Sequence, residues 1–177
     1  MDVSFDRSAH FLYSSRREQL IEHLFLAELL RALWLRRIYD AEVLKAEVDA
    51  AGYDVVVEVG GVLRHIQLKS RIRSGRASAV TISTALSAKP SGCVLWILFE
   101  AVTMTLGPFL FFGGGVGEKL PDLGDRTARH TKADSTGHKA ERSAHRRISK
   151  SKFETLNSMD EVIDKLFLSP AETGLIE

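Results

Sequence analysis

The chain has 177 residues, enough for one domain with a sizeable core. Its 45% apolar and 27% charged content is that of a globular protein, and a formal net charge of +1 neither demands nor excludes a nucleic-acid partner. A single cysteine, Cys93, excludes an intramolecular disulfide and points to a reducing, cytoplasmic setting. Flanked by Val94-Leu95-Trp96-Ile97-Leu98, it reads as a buried small residue and not as a reactive thiol.

Asp2, Asp6 and Arg7 interrupt any apolar run at the start, so no secretory leader is expected. Ser14 or Ser15 is placed to cap a helix from about Arg16 to Arg37, with Leu20, Ile21, Leu24, Phe25, Leu29, Leu30 and Leu33 giving a wide apolar surface. Glu22 falls inside that apolar sector, between Leu29 and Leu33. A bare carboxylate there is too costly, so it must be paired, protonated or holding a cation. Glu18, one turn earlier, is a lesser candidate, and Glu28 near Arg31 reads as a surface residue.

Glu42–Val48 alternates loosely as a first strand, and Asp49-Ala50-Ala51-Gly52 is a turn. Tyr53–Val59 and Val62–Lys69 then form a hairpin about Gly60-Gly61, the two-residue turn that matches strand twist. Counting down the ladder from Val59 opposite Val62 sets Asp54 opposite Gln67, on one face, with Lys69 two residues further along. Val55, Val57, Val59, Ile66 and Leu68 take the other face as core. Alone, Asp54 would read as a strand-start residue and Lys69 as a surface lysine. Together with Gln67 they put a carboxylate, an amide oxygen and an ammonium at one strand end, which is the equipment for phosphodiester hydrolysis around a cation and a water.

Ser70 to Ala79 reads as a basic loop carrying Arg71, Arg73 and Arg76, Ala79–Ser83 as β-like, and Thr84–Lys89 as a short helix stopped by Pro90. Cys93–Phe99 has the continuous apolar run of a strand buried on both faces, with Val102–Phe112 returning beside it. Glu100 and Gly107-Pro108 break the Val94–Phe112 region well short of the roughly 18 apolar residues a membrane helix needs. Gly113 to about Ser151 is expected to be an extended basic loop region. Its Lys132, Lys139, Arg142, Arg146, Arg147, Lys150 and Lys152 are opposed only by Asp134 and Glu141. Phe153–Leu156 suits a closing strand, and Ser158 with Glu161 suits the capping box of a helix over Met159–Leu168.

Three motifs fail on spacing. Gly113–Lys119 has Glu118 where a phosphate loop needs glycine, His130, His138 and His145 are too far apart for zinc, and no nucleophile elbow occurs. The element order makes residues 1–177 a single α/β (α+β) domain with a mixed central sheet flanked by helices. Its core spans about 16–112, its basic loop region 113–151, and its C-terminal strand and helix 152–177.

A glutamate-bearing helix, then Gly52-Tyr53-Asp54-Val55-Val56-Val57, then Ile66-Gln67-Leu68-Lys69, resembles the PD-(D/E)xK nuclease superfamily with its restriction-endonuclease-like αβββαβ core. The likeness covers about residues 16 to 100 and is nearest to the Mrr-type branch, whose members are similar in carrying glutamine in place of the second acid. The resemblance implies Mg²⁺ (or Mn²⁺) held by Asp54, Gln67, the Leu68 carbonyl and Glu22, with Lys69 beside the attacking water. It further implies an endonuclease acting on DNA, in bacterial antiviral defence or a mobile element. Ser70, Arg71, Arg73, Arg76, Lys132, Lys139 and Arg142 would grip nucleic acid. Two alternatives stand beside it: a catalytically silent module that binds nucleic acid or a protein partner, and an RNA-cleaving nuclease. Many such enzymes work as homodimers, and no membrane partner is expected.

Overall fold

The computed structural model describes residues 7–45, 51–129 and 141–168. A short helix, α1 (Arg7–Leu12), runs into α2 (Ser14–Leu35). The junction corrects the expected serine cap. Tyr13 holds the N-cap position without a side-chain hydrogen bond, and its carbonyl accepts from Arg17 N at 2.9 Å. α1 leads into α2 through Tyr13, so both serines fall inside the helix and neither stands at its cap.

The sheet is mixed. Strands β1 (Glu42–Lys45), β2 (Val55–Val59) and β3 (Val62–Ile72) form an antiparallel meander. The outer part of the expected first strand, residues 46–48, lies outside the described residues, as does the start of the 49–52 turn. Gly60 and Gly61 both take positive φ, 56° and 77°, which is the backbone that a twist-matched two-residue turn requires. Further along, β4 (Ala79–Ser83) leaves this sheet, and a 3-10 turn over Thr84–Ala88 leads into β5 (Gly92–Phe99). β5 lies parallel to β3, with Gln67 beside Val94 and Lys69 beside Trp96. The crossover therefore carries the expected strand over Ala79–Ser83, and a 3-10 turn stands where a short helix was expected. Strand β6 (Leu106–Gly113) returns antiparallel to β5, and after β7 (Thr127–Arg129) and β8 (Glu141–Ser149) the short β9 (Glu154–Leu156) closes the large sheet in the order β1-β2-β3-β5-β6-β9.

α2 and α3 (Met159–Phe167) cover one face of this sheet. Their Ile21, Phe25, Leu29, Leu33, Val162 and Leu166 bury Val55, Val57, Ile66, Leu95, Ile97 and Phe109. A second, three-stranded sheet in the order β4-β8-β7 covers the other face. Ile82, Ile148 and Leu86 pack there on Val94, Trp96, Leu98 and Leu110. β5 is consequently buried on both sides along its whole length, as its unbroken apolar run implied. The second sheet corrects the expectation of a long loop over 113–151. β8 is basic and carries one fully buried aliphatic residue, Ile148, so alternation gave no strand signal, yet it pairs with β4 from Ala79↔Ser149 to Ser83↔His145. No helix among the described residues is long and apolar enough to cross a membrane.

A candidate active-site cleft at the edge of the third strand

The β2–β3 ladder keeps the register read from the sequence, from Val59↔Val62 to Val55↔Ile66. One residue earlier the chain bends. Asp54 N donates to the Ile66 carbonyl at 2.9 Å, and its carboxylate Oδ2 accepts the Leu68 N–H at 2.6 Å. Asp54 is therefore fixed at the point where β2 stops and β3 continues alone. Leu68 turns its N–H, and with it its carbonyl, toward that unpaired edge, since both groups of one strand residue face the same neighbour.

A cleft of about 560 Å³ opens over the edge. α2 contributes Glu18 and Glu22, β3 contributes Leu68, Lys69 and Ser70, β4 contributes Thr81, and Asp54 closes one end. Lys69 has no ion-pair partner among the described residues. Ser70 Oγ is buried, with no hydrogen-bond partner among the described residues. Three of the expected groups, Asp54, Lys69 and Glu22, thus share one cavity.

Gln67 does not line it. Its side chain is almost wholly buried under the second sheet, and its Oε1 accepts the Ser83 N–H at 3.3 Å. Glu22 lines the cleft in an ion pair: Oε1 lies 2.5 Å from Lys45 Nζ on β1. Pairing is one of the three states, beside protonation and holding a cation, that its place in the apolar sector of α2 allowed.

The basic residues divide. Arg71 lies over the Trp96 ring at 5.1 Å and donates to the Ala77 carbonyl, while Arg73 donates through Nε and Nη2 to the Gly107 carbonyl at 3.1 and 2.6 Å. Both are tied into the fold. Burial also lowers the pKa of the Arg71 guanidinium below its ordinary value. Arg76 is exposed on the loop, and Arg147 on β8 is exposed and registered against Thr81 of the cleft. Lys132 and Lys139 lie outside the described residues, as does the side chain of Arg142.

Sequence reasoning missed Ser15, Gln19, Val80 and Thr81 on the cleft wall. The helical positions were legible, Ser15 one turn before Glu18 and Gln19 next to it. Thr81 was not, because no local pattern brings the free edge of β4 across from β3.

A second hollow of about 680 Å³ lies by Gly113–Val116 and α3. Its acids are already engaged: Glu154 with Lys165 at 2.7 Å, Asp164 with Arg36 at 2.5 Å, Glu118 with Gly115 N and Glu161 with Asn157 N. The fully buried Arg64 donates to the carbonyls of Gly114, Gly115, Lys165 and Leu166, which makes this corner a brace.

Comparison with protein-family models finds no match, and searches of curated proteins and of solved structures find none either.

The cleft offers hard oxygen donors: the Asp54 and Glu22 carboxylates, the Leu68 carbonyl and the Ser70 hydroxyl. No three His, Cys, Asp or Glu side chains among the described residues form a group that could hold a metal. Mg²⁺ needs no such group, because it keeps several waters and takes one or two carboxylates. The donor set fits a single hydrated Mg²⁺ or Mn²⁺ and would suit a soft cation poorly.

Proposed function

We propose that this protein is a metal-dependent phosphodiester hydrolase of the PD-(D/E)xK kind, cutting DNA in a reducing cytoplasm. The observation that carries the reading is the meeting of Asp54, Lys69 and Glu22 in one cleft at the open edge of β3. Asp54 and the Leu68 carbonyl would hold the cation, which polarises the phosphate and offsets charge growing in the transition state. Asp54 is already oriented for this by the Leu68 N–H. Lys69, without an ion-pair partner among the described residues, would be available to touch the scissile phosphate and to steer the attacking water. Glu22, kept in place by Lys45, would help to hold water or a cation from the α2 side of the cleft. Ser70 adds a hydroxyl at the floor. Gln67 has a different part from the one its position in the motif implied. Its amide fastens β3 to Ser83 and so sets the width between the two strand edges.

The test is incubation of the purified chain with plasmid, linear DNA and RNA in Mg²⁺, Mn²⁺ or EDTA, beside Asp54→Asn and Lys69→Ala. Cleavage should require the metal and fall on the order of 10²–10³-fold in each variant, the scale of losing one transition-state contact. Equal cutting by all three proteins would defeat the proposal. RNA cut in preference to DNA would keep the chemistry and change the substrate.

A second reading has its own support. Glu22 is paired with Lys45, and the Gln67 oxygen is taken by Ser83, so two of the expected cation ligands are already engaged. Nucleic acid bound without metal-dependent cleavage would make the protein a silent module of the same fold.

A further inference from the structure

Lys45 stands on the core side of its strand. It follows Val43 by two residues in β1, so both side chains leave the sheet on the face that packs under α2. Its register partner is Val55, the residue next to Asp54. From there its ammonium reaches Glu22 Oε1 at 2.5 Å. The Glu22 side chain is 18% exposed, and this oxygen is buried with no hydrogen bond among the described residues. Lys45 is also the one ion-pair partner of Glu22 among those residues. A lysine from the far strand of the meander has thus been brought to an acid of the candidate active site.

We infer that the Lys45 ammonium takes the place of a second metal ion on the α2 side of the cleft, so that the protein runs on one divalent cation. The inference rests on the nuclease reading above and adds a residue to it. Two-metal phosphodiester hydrolases clamp the reacting oxygens between cations roughly 3.5–4 Å apart. This cleft has an acid for each position, Asp54 at one end and Glu22 on the helix. Left alone, Glu22 would be a largely desolvated carboxylate sharing a cavity with another, a combination that draws in a cation. Lys45 removes that pull. Its ammonium is tethered to β1, so its effective concentration is on the order of millimolar or above. It also avoids the dehydration that Mg²⁺ undergoes only reluctantly. Charge agrees with a single ion. The acids Asp54 and Glu22 are matched by Lys45 and Lys69, so the set is neutral before a cation enters. One divalent ion then leaves two positive charges to meet the phosphate, and a second would double the excess. Glu18, the third acid of the cleft, is 64% exposed and lies 3.9 Å from Arg17, so water and that guanidinium screen it. Lys45 acts through Glu22 and is a positioning residue.

The test counts ions on the full chain with no substrate present. Titrated with Mn²⁺ and followed by electron paramagnetic resonance, the wild type should bind one ion and Asp54→Asn none. Lys45→Gln should bind two, because Glu22 is released to hold the second, and Lys45→Gln with Glu22→Gln should return to one. Lys45→Arg should keep one, since it restores the charge. Lys45 is 52% exposed at a strand end, so circular dichroism should be the same for every variant. Cleavage should follow the count, log rate rising against log Mg²⁺ with a slope of about 1 in the wild type and about 2 in Lys45→Gln. Two ions in the wild type, or one in Lys45→Gln, would overturn the inference and leave the nuclease reading standing. A wild type that binds no Mn²⁺, with Asp54→Asn indistinguishable from it, would take down both.

Discussion

Cys93 shows how one residue's setting decides its chemistry. It sits on β5 under the helical layer with no exposed surface, and burial pushes its thiol up to about 12, with Arg64 pulling weakly the other way. The nucleophile is the thiolate, so a group held that high stays protonated and inert across the working range. Native protein at pH 8 should therefore leave Cys93 unlabelled by iodoacetamide, and one equivalent should react once the chain is unfolded. Rapid labelling of the native state would show that the strand opens locally. This residue was legible from its apolar neighbours alone. Gln67 was not. Its place in the hairpin was read correctly, but the group that takes its oxygen is a backbone N–H of Ser83, and β4 reaches that point only through the second sheet.

At the scale of elements, periodicity carried what local pattern can carry. The hairpin register followed from Gly60-Gly61 and the valine alternation, and β5 followed from its unbroken apolar run. The α3 cap also stands: Ser158 Oγ accepts Glu161 N at 3.1 Å, while the Glu161 carboxylate reaches one residue further back, to Asn157 N. β7 and β8 escaped because, among their described residues, each buries a single apolar side chain, Ala128 and Ile148, too few for an alternating pattern. Arg64 escaped for a related reason, since a lone arginine in a valine-rich strand looks like a solvated one. It is instead the strut between three elements. It donates at 2.6 Å to the Leu166 carbonyl near the end of α3, and to carbonyls of the glycine loop, with no carboxylate among the described residues paired to it. Burial lowers the pKa of this guanidinium, yet it remains charged, and the carbonyls stand in for a counter-ion. Arg64→Met keeps the volume and strands those acceptors. It should cost about 3 kcal/mol or more in urea unfolding, at the severe end for a point change. A loss below about 1 kcal/mol would mean that water replaces the guanidinium without penalty.

The whole molecule sets two layers around one sheet and leaves a cleft where the β3 edge, the β4 edge and α2 fail to close. Nucleic acid entering that cleft would meet positive charge from two directions, Arg76 on the β3–β4 loop and Arg147 on β8, both exposed, while Arg71 and Arg73 are committed to Trp96 and Gly107. This division makes a quantitative claim about binding. Each phosphate contact releases counterions and adds about 0.9 to the steepness with which log K falls against log salt. Arg76→Ala and Arg147→Ala should each flatten that slope by about 1 on a duplex of fixed length, and the double variant by about 2. Arg71→Ala should leave the slope unaltered and lower the melting temperature, because its guanidinium serves the aromatic packing under the second sheet. Measured by fluorescence anisotropy across a salt series, equal slopes for wild type and both exposed-arginine variants would remove the cleft from the binding surface. A flattened slope for Arg71→Ala with unchanged stability would show that this side chain leaves Trp96 to take up a phosphate.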